Sequence, residues 1–307
     1  MIENFINKLQ SNNSFLTLEV TPTHSANFTK TVEKIKELKI DELIDGFSTT
    51  DNPLARLKYN SMFSALKLQQ TFKKPCITTI SMRDRNKIAL QSDMLGMNEF
   101  DLRVILALTG DPARISDQPN AKAVNEGRST LLLDMIRCFN SGIDYGGKPF
   151  KDTPKNIYPF AVTNAVAKNK KTIYKNILKK LNHGAIAIIT QPVYDIENAK
   201  ELLELFEEAK NEIKFLDTNP VLILGFFPIT KLRTAQFLAS HVPGIYVPPS
   251  WMEKLLIAKE KGEEEETRVG MDLSQKAFKS IYQFHPKMHL MTANHFNLAK
   301  EILKVSL

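Results

Sequence analysis

The sequence predicts one (β/α)8 barrel, an α/β fold, with extra helix before its last strand. Three observations lead there: eight short aliphatic and β-branched runs, amphipathic segments of helical spacing between them, and no break in composition across 307 residues. Parallel strands need crossovers of about a dozen residues or more, which the intervening segments supply. Residues 1–307 are therefore expected to form a single barrel domain rather than two smaller ones.

The runs are FLTLEVTP (15–22), LIDGFSTT (43–50), PCITTISM (75–82), RVILALTG (103–110), IYPFAVTN (157–164), AIAIITQP (185–192), VLILGFFP (221–228) and MHLMTAN (288–294). After the first comes FTKTVEKIKELKI, in which Val32, Ile35, Leu38 and Ile40 fall at roughly helical spacing. ARLKYNSMFSALKLQQ (55–70), NKIALQSDMLGMN (86–98), STLLLDMIRCFNSG (129–142), KTIYKNILKKLNHG (171–184), ENAKELLELFEEAK (197–210) and KLRTAQFLASHV (231–242) follow the same pattern. Gly142 and Gly184 stand where helix C-caps belong. The stretch 242–284, between the seventh and eighth runs, is the longest and carries the extra helix.

Composition excludes several classes. Apolar residues at 43% and charged residues at 24% fit a soluble globular chain. No apolar run reaches the ~18 residues of a membrane span, and MIENFINKLQSNNS has an early acid and no long apolar core, unlike a secretory signal. Cys76 and Cys138 make no disulfide framework and no CxxC, so a reducing cytoplasm is expected. The net charge of +7 is spread along the chain and interrupted by acids such as EKGEEEE (260–266), so neither a nucleic-acid nor a membrane partner is expected. The basic stretch 167–180, AKNKKTIYKNILKK, contains no acid; it is either an exposed helix face or the flank of a phosphate-bearing cofactor.

In such barrels chemistry lies at the C-terminal ends of the strands. Polar residues gather there: Glu19, Thr49, Thr50, Thr78, Thr79, Asp111, Thr163, Asn164 and Gln191. Glu19, between Leu18 and Val20, points either into the barrel or into the helix layer, and on both faces an unpartnered acid is costly. A structural salt bridge accounts for it, or a proton-transfer role with a raised pKa. Asp111 in LALTGDP reads as a turn residue or as a charge at the strand mouth. Gln191 can cap a loop or read the edge of a heterocycle, and the threonines say little singly. No GxGxxG follows the first run and no GxxxxGK[ST] occurs. The six histidines, at 24, 183, 241, 285, 289 and 295, lack HExxH spacing, so no metal is expected.

Taken in order, LEVTP, DGFSTTDNPLAR, ITTISMRDRNKIALQSDMLG, LALTGDP, AIITQPVYD and GFFPITKLRTAQFLASHVPGIYVP resemble the methylenetetrahydrofolate reductase family over about residues 15–300. Within it the likeness is greatest to the reductase half of bifunctional homocysteine methyltransferase/methylenetetrahydrofolate reductases. The resemblance implies FAD over the barrel rim, NADH or NADPH as the reductant that delivers hydride and leaves, and methylenetetrahydrofolate reduced afterwards on the same face. A homo-oligomer is expected. By the same resemblance Glu19 matches the catalytic general acid, Asp111 the acid that contacts the pterin near the flavin, and Gln191 the glutamine on the pterin edge. Thr50, Thr109, Gly110, Asp111, Val124, Asn164, Asn176, Lys179 and Lys180 match cofactor contacts, the two lysines at the pyrophosphate.

The chain departs from the better-known monofunctional members at four positions. They carry Arg where it has Thr109, His where it has Cys76, an acid where it has Ile173, and a folate-contacting Arg where it has His295. His295 is accordingly expected near the folate, with a changed hold on its tail. Two other readings keep the barrel: a pterin-binding protein that moves one-carbon groups without redox chemistry, and a reductase subunit fed by a partner protein instead of free nucleotide.

Overall fold

A computed structural model describes residues 1–124, 126–213 and 219–306. Its strands β1 (Phe15–Val20), β2 (Gly46–Thr49), β3 (Cys76–Ser81), β4 (Val104–Leu108), β5 (Tyr158–Thr163), β6 (Ala187–Pro192), β7 (Val221–Phe226) and β8 (Lys287–Leu290) close into a parallel barrel in chain order. Each expected run holds one strand. Alternation of side chains then divides the core in two. Leu16, Leu18 and Val20 enter the layer between barrel and helices, while Phe15 joins Ile77, Val104, Phe160 and Ile223 in filling the lumen. Thr17 and His289 lie level across the β1–β8 seam and share a buried hydrogen bond of 2.7 Å.

A helix that the sequence reading omitted closes the bottom of this lumen. In α1 (Ile2–Gln10), Ile2, Phe5, Ile6 and Leu9 fall at helical spacing, and all four are buried against Phe15 and the lower lumen residues. Each such burial stabilises by roughly 1.5–3 kcal/mol. Polar contacts fix its seat: Arg103 pairs with Glu3, Lys8 lies 2.5 Å from Asp45, and Lys287 Nζ donates to the carbonyls of Lys8, Ser11 and Asn13.

The outer layer comprises α2 (Thr29–Leu38), α3 (Ser61–Phe72), α4 (Lys87–Glu99), α5 (Ser129–Asn140), α6 (Lys170–Asn182), α7 (Ile196–Glu212), α8 (Leu232–His241), α9 (Pro249–Glu260), α10 (Glu263–Phe284) and α11 (Phe296–Leu303). The extra helix before β8 is thus two helices, α9 and α10. Ala55 ends a short 3-10 turn (Pro53–Ala55) and residues 56–60 are not helical, contrary to the 55–70 expectation. Leu54 and Ala55 take φ of 56° and 55°, and the helix starts at Asn60, whose side chain accepts the N–H groups of Met62 and Phe63. Gly142 and Gly184, with φ of 79° and 89°, do follow the ends of α5 and α6. Among the described residues no helix is long and apolar enough to cross a membrane.

One glycine governs how β6 and β7 approach each other. The β6–β7 register shifts between Ile189 and Pro192, and a Cβ on Gly225 would lie 2.3 Å from the carbonyl oxygen of Thr190. Gly225→Ala is therefore expected to cost about 3 kcal/mol of stability or more, through forced backbone displacement. Urea unfolding of the variant checks this; an unchanged midpoint would contradict it.

Candidate functional site

The upper end of the lumen opens into a cavity of about 460 Å3 at the strand C-termini. Glu19, Thr50, Thr109, Gly110, Asp111, Asn164, Asn176, Lys180 and Gln191 all line it. These residues come from β1, β6, α6 and the segments following β2, β4 and β5, so only closure of the barrel brings them together. Three expected residues lie elsewhere. Lys179 is exposed on α6, one helical step round from Lys180. Val124 is exposed on the loop after β4 and donates its N–H to the Arg83 carbonyl at 2.8 Å. His295 lies in a separate surface groove with Lys34 and Glu301, because Ala293 and Asn294, at φ 48° and 66°, turn the chain outward after β8.

Glu19 stands on the lumen face, one step above Thr17. No hydrogen bond or ion pair reaches its carboxyl among the described residues, which removes the salt-bridge explanation. Cavity solvent touches part of the side chain, but the barrel wall encloses it, and this desolvation pushes its pKa up to about 7. His289, also on the cavity wall, supplies no compensating charge: burial pulls its pKa down to about 4, so the ring is neutral at pH 7.

The folded protein thus holds the Glu19 proton more tightly than the unfolded chain, whose value is near 4.5. The resulting stability is complete below about pH 4.5 and is lost as pH rises to about 7, at most about 3 kcal/mol in all. Glu19→Gln, which mimics the protonated form, is expected to match wild type at acid pH and to be more stable by up to that amount above pH 7. Urea unfolding at both pH values measures it; an equal offset at the two would contradict the raised pKa.

Gly110 explains the abrupt stop of the apolar run before Asp111. Its φ is 91°, and a Cβ there would stand 2.8 Å from Arg83 Cβ and 3.0 Å from Ser81 Oγ. The turn brings Asp111 to the cavity edge, where Oδ2 accepts the Leu54 N–H at 2.6 Å and Oδ1 has no protein donor among the described residues. Asn164, on the far wall, is wedged by Gly244, where a Cβ would approach its Cγ to 2.4 Å.

Two features of the wall call for a polar, anionic occupant. Among the described residues the buried hydroxyls of Thr50 and Thr163 have no hydrogen-bond partner, although both residues line the cavity. Lys180 is buried, donates to Ser129 Oγ, and pairs with no carboxylate among the described residues; burial, aided by the charge of Lys179, lowers its pKa to about 8. A phosphate-bearing cofactor would satisfy both, so these residues fit a dinucleotide such as FAD. Ser129, missed in the sequence, ties that corner together: its N–H donates to Thr109 Oγ1 at 3.1 Å. Its only signal was its place at the head of the STLLLDMIRCFN helix. Cys76 and Ile173 are buried in the core and present nothing to the cavity; burial holds the Cys76 thiol well above its ordinary pKa.

Known proteins bear on this geometry. The family model described as methylenetetrahydrofolate reductase matches residues 4–306. No curated protein matches. An uncharacterized protein from Clostridium thermocellum that binds two copies of 5-methyl-5,6,7,8-tetrahydrofolic acid superposes with a TM-score of 0.64 at 15% identity, over 99% of this chain and 96% of that one. An F420-dependent secondary alcohol dehydrogenase, in complex with an F420-acetone adduct, gives 0.54 at 12% identity over 96% and 99%. At such identities these likenesses establish the barrel fold alone. The family match spans nearly the entire sequence, and the chain belongs to the methylenetetrahydrofolate reductase family.

Proposed function

We propose that the protein reduces 5,10-methylenetetrahydrofolate to 5-methyltetrahydrofolate, with FAD as cofactor and NADH or NADPH as reductant. The observation that carries this reading is Glu19: an unpaired carboxyl in the cavity whose pKa of about 7 lets it hold and release a proton near neutrality. Family membership and the methyltetrahydrofolate bound by the Clostridium thermocellum neighbour support the choice of substrate.

Glu19 donates its proton to the bridging nitrogen N10 as the C–N bond opens, which leaves an iminium cation at N5. When bound, FAD would supply the redox chemistry: reduced by the nicotinamide, it would carry the hydride needed to turn the iminium carbon into a methyl group. Asp111 accepts pterin N–H donors through its free oxygen, and its negative charge favours the cationic iminium. Gln191 both donates and accepts, as a pterin edge requires. Lys180 and Asn176 would hold the cofactor phosphates, Thr50 and Asn164 its polar ring atoms, and the Gly110 turn lets backbone approach the ring closely.

The test is a visible spectrum of the purified protein, followed by anaerobic addition of NADH or NADPH and then methylenetetrahydrofolate. The reading predicts a flavin absorbance that nucleotide bleaches and folate restores. A colourless protein that still binds folate would contradict the redox assignment, and a flavin that neither nucleotide bleaches would contradict direct use of nicotinamide.

A further inference from the structure

Three segments far apart in the sequence, TTDNP, RDRN and LQSD, converge through Asp51, Arg85 and Asp93 on one ion-pair network beside the cavity. Arg85 Nη1 donates to Asp51 Oδ2 at 2.7 Å, and Arg85 Nε lies 3.0 Å from Asp93 Oδ2 on α4. The same Asp51 oxygen accepts the Ser81 N–H at 2.9 Å, which pins the end of β2 to the end of β3. Asp51 lines the cavity; Arg85 and Asp93 stand behind it.

After Asp51 the chain enters a turn in which Asn52, Leu54 and Ala55 all have positive φ, 44°, 56° and 55°. Residues with a Cβ rest there only when their surroundings hold them. Here Arg83 Nη1 and Nη2 both lie 3.3 Å from the Asn52 carbonyl, Ser116 Oγ donates to the Ala55 carbonyl at 2.7 Å, and the Leu54 N–H is held by Asp111 Oδ2. The turn is therefore the physical link between Asp51 and Asp111.

We propose that Arg85 is a positioning residue for folate binding: through Asp51 it fixes the 51–55 turn, and the turn fixes the Asp111 carboxylate in the orientation that receives the pterin. The proposal rests on the folate reading of the site given above. A guanidinium fork engages two carboxylates at once, whereas an ammonium acts as a single point charge. Arg85→Lys therefore keeps the positive charge and loses one of the two pairings, while Asp93→Asn leaves the Arg85–Asp51 contact in place and serves as the milder variant.

Two measurements on the full-length protein decide it. Amide hydrogen exchange across residues 52–56 is expected to speed up about tenfold in Arg85→Lys and less in Asp93→Asn. The KM for methylenetetrahydrofolate is expected to rise about tenfold, with kcat changed far less and reduction by nicotinamide unaltered. A merely structural ion pair would slow both half-reactions together, and that result, or unchanged exchange in folded Arg85→Lys, overturns the proposal. Wild-type protein without folate turnover would defeat the reading of the site, whereas wild-type turnover with an unshifted KM in Arg85→Lys would defeat the positioning role alone.

Discussion

Replacing Glu19 with Gln is expected to slow folate reduction by about a thousandfold while the nicotinamide half-reaction keeps its rate, the size following from loss of a general acid. Gln preserves the shape of the side chain and the neutral form present below pH 7, so the cavity and the bound cofactor should change little. What it cannot do is give up a proton. Only the step in which N10 is protonated needs one from Glu19, whereas reduction by nicotinamide asks nothing of this carboxyl. Anaerobic stopped-flow absorbance separates the two half-reactions. Equal loss of both would mean that Glu19 shapes the cavity instead of supplying a proton.

Replacing Lys180 with Met is expected to weaken FAD binding by about 10–100-fold, the range for loss of a charge-assisted contact in a partly dry site. A buried ammonium that donates to the Ser129 hydroxyl, with its pKa lowered to about 8 chiefly by burial, is stabilised by an incoming phosphate. Lys179→Met is the matched control, because that neighbour is exposed and its charge reaches the site only through solvent. Fluorescence titration of apoprotein with FAD measures both. Similar losses in the two variants would place the pyrophosphate along the outer face of α6.

That pair of lysines also marks how far the sequence could be read. Periodicity identified the basic helix, but adjacent residues differ by about 100° around a helix, and only packing decided which of the two faces the cavity. The barrel itself was legible because eight aliphatic runs with helical segments between them leave few other solutions. The closing helix α1 was not, although Ile2, Phe5, Ile6 and Leu9 carry its signal, since a nine-residue segment ahead of the first strand resembles a tail until the lumen it plugs is known. The helix expected from residue 55 failed for a different reason. ARLKYN continues the apolar spacing, but positive φ at Leu54 and Ala55 is imposed by contacts from loops far along the chain.

The site followed the same division. Strand alternation gave Glu19 two possible faces, and the burial of Leu18 and Val20 against the helices selected the lumen. His295 was displaced by the left-handed pair at Ala293 and Asn294, and Asn294 bonds to both the N–H and the carbonyl of Thr21. The Asp51–Arg85–Asp93 network was invisible because its members are meaningful only as neighbours in space.

Single-turnover reoxidation of the reduced enzyme by methylenetetrahydrofolate, followed on either side of neutrality, decides whether Glu19 supplies the proton. If Glu19 delivers the proton, the rate falls as pH rises through an apparent pKa near 7, and this dependence vanishes in Glu19→Gln. A wild-type rate that is flat or rising across that interval would contradict the assignment.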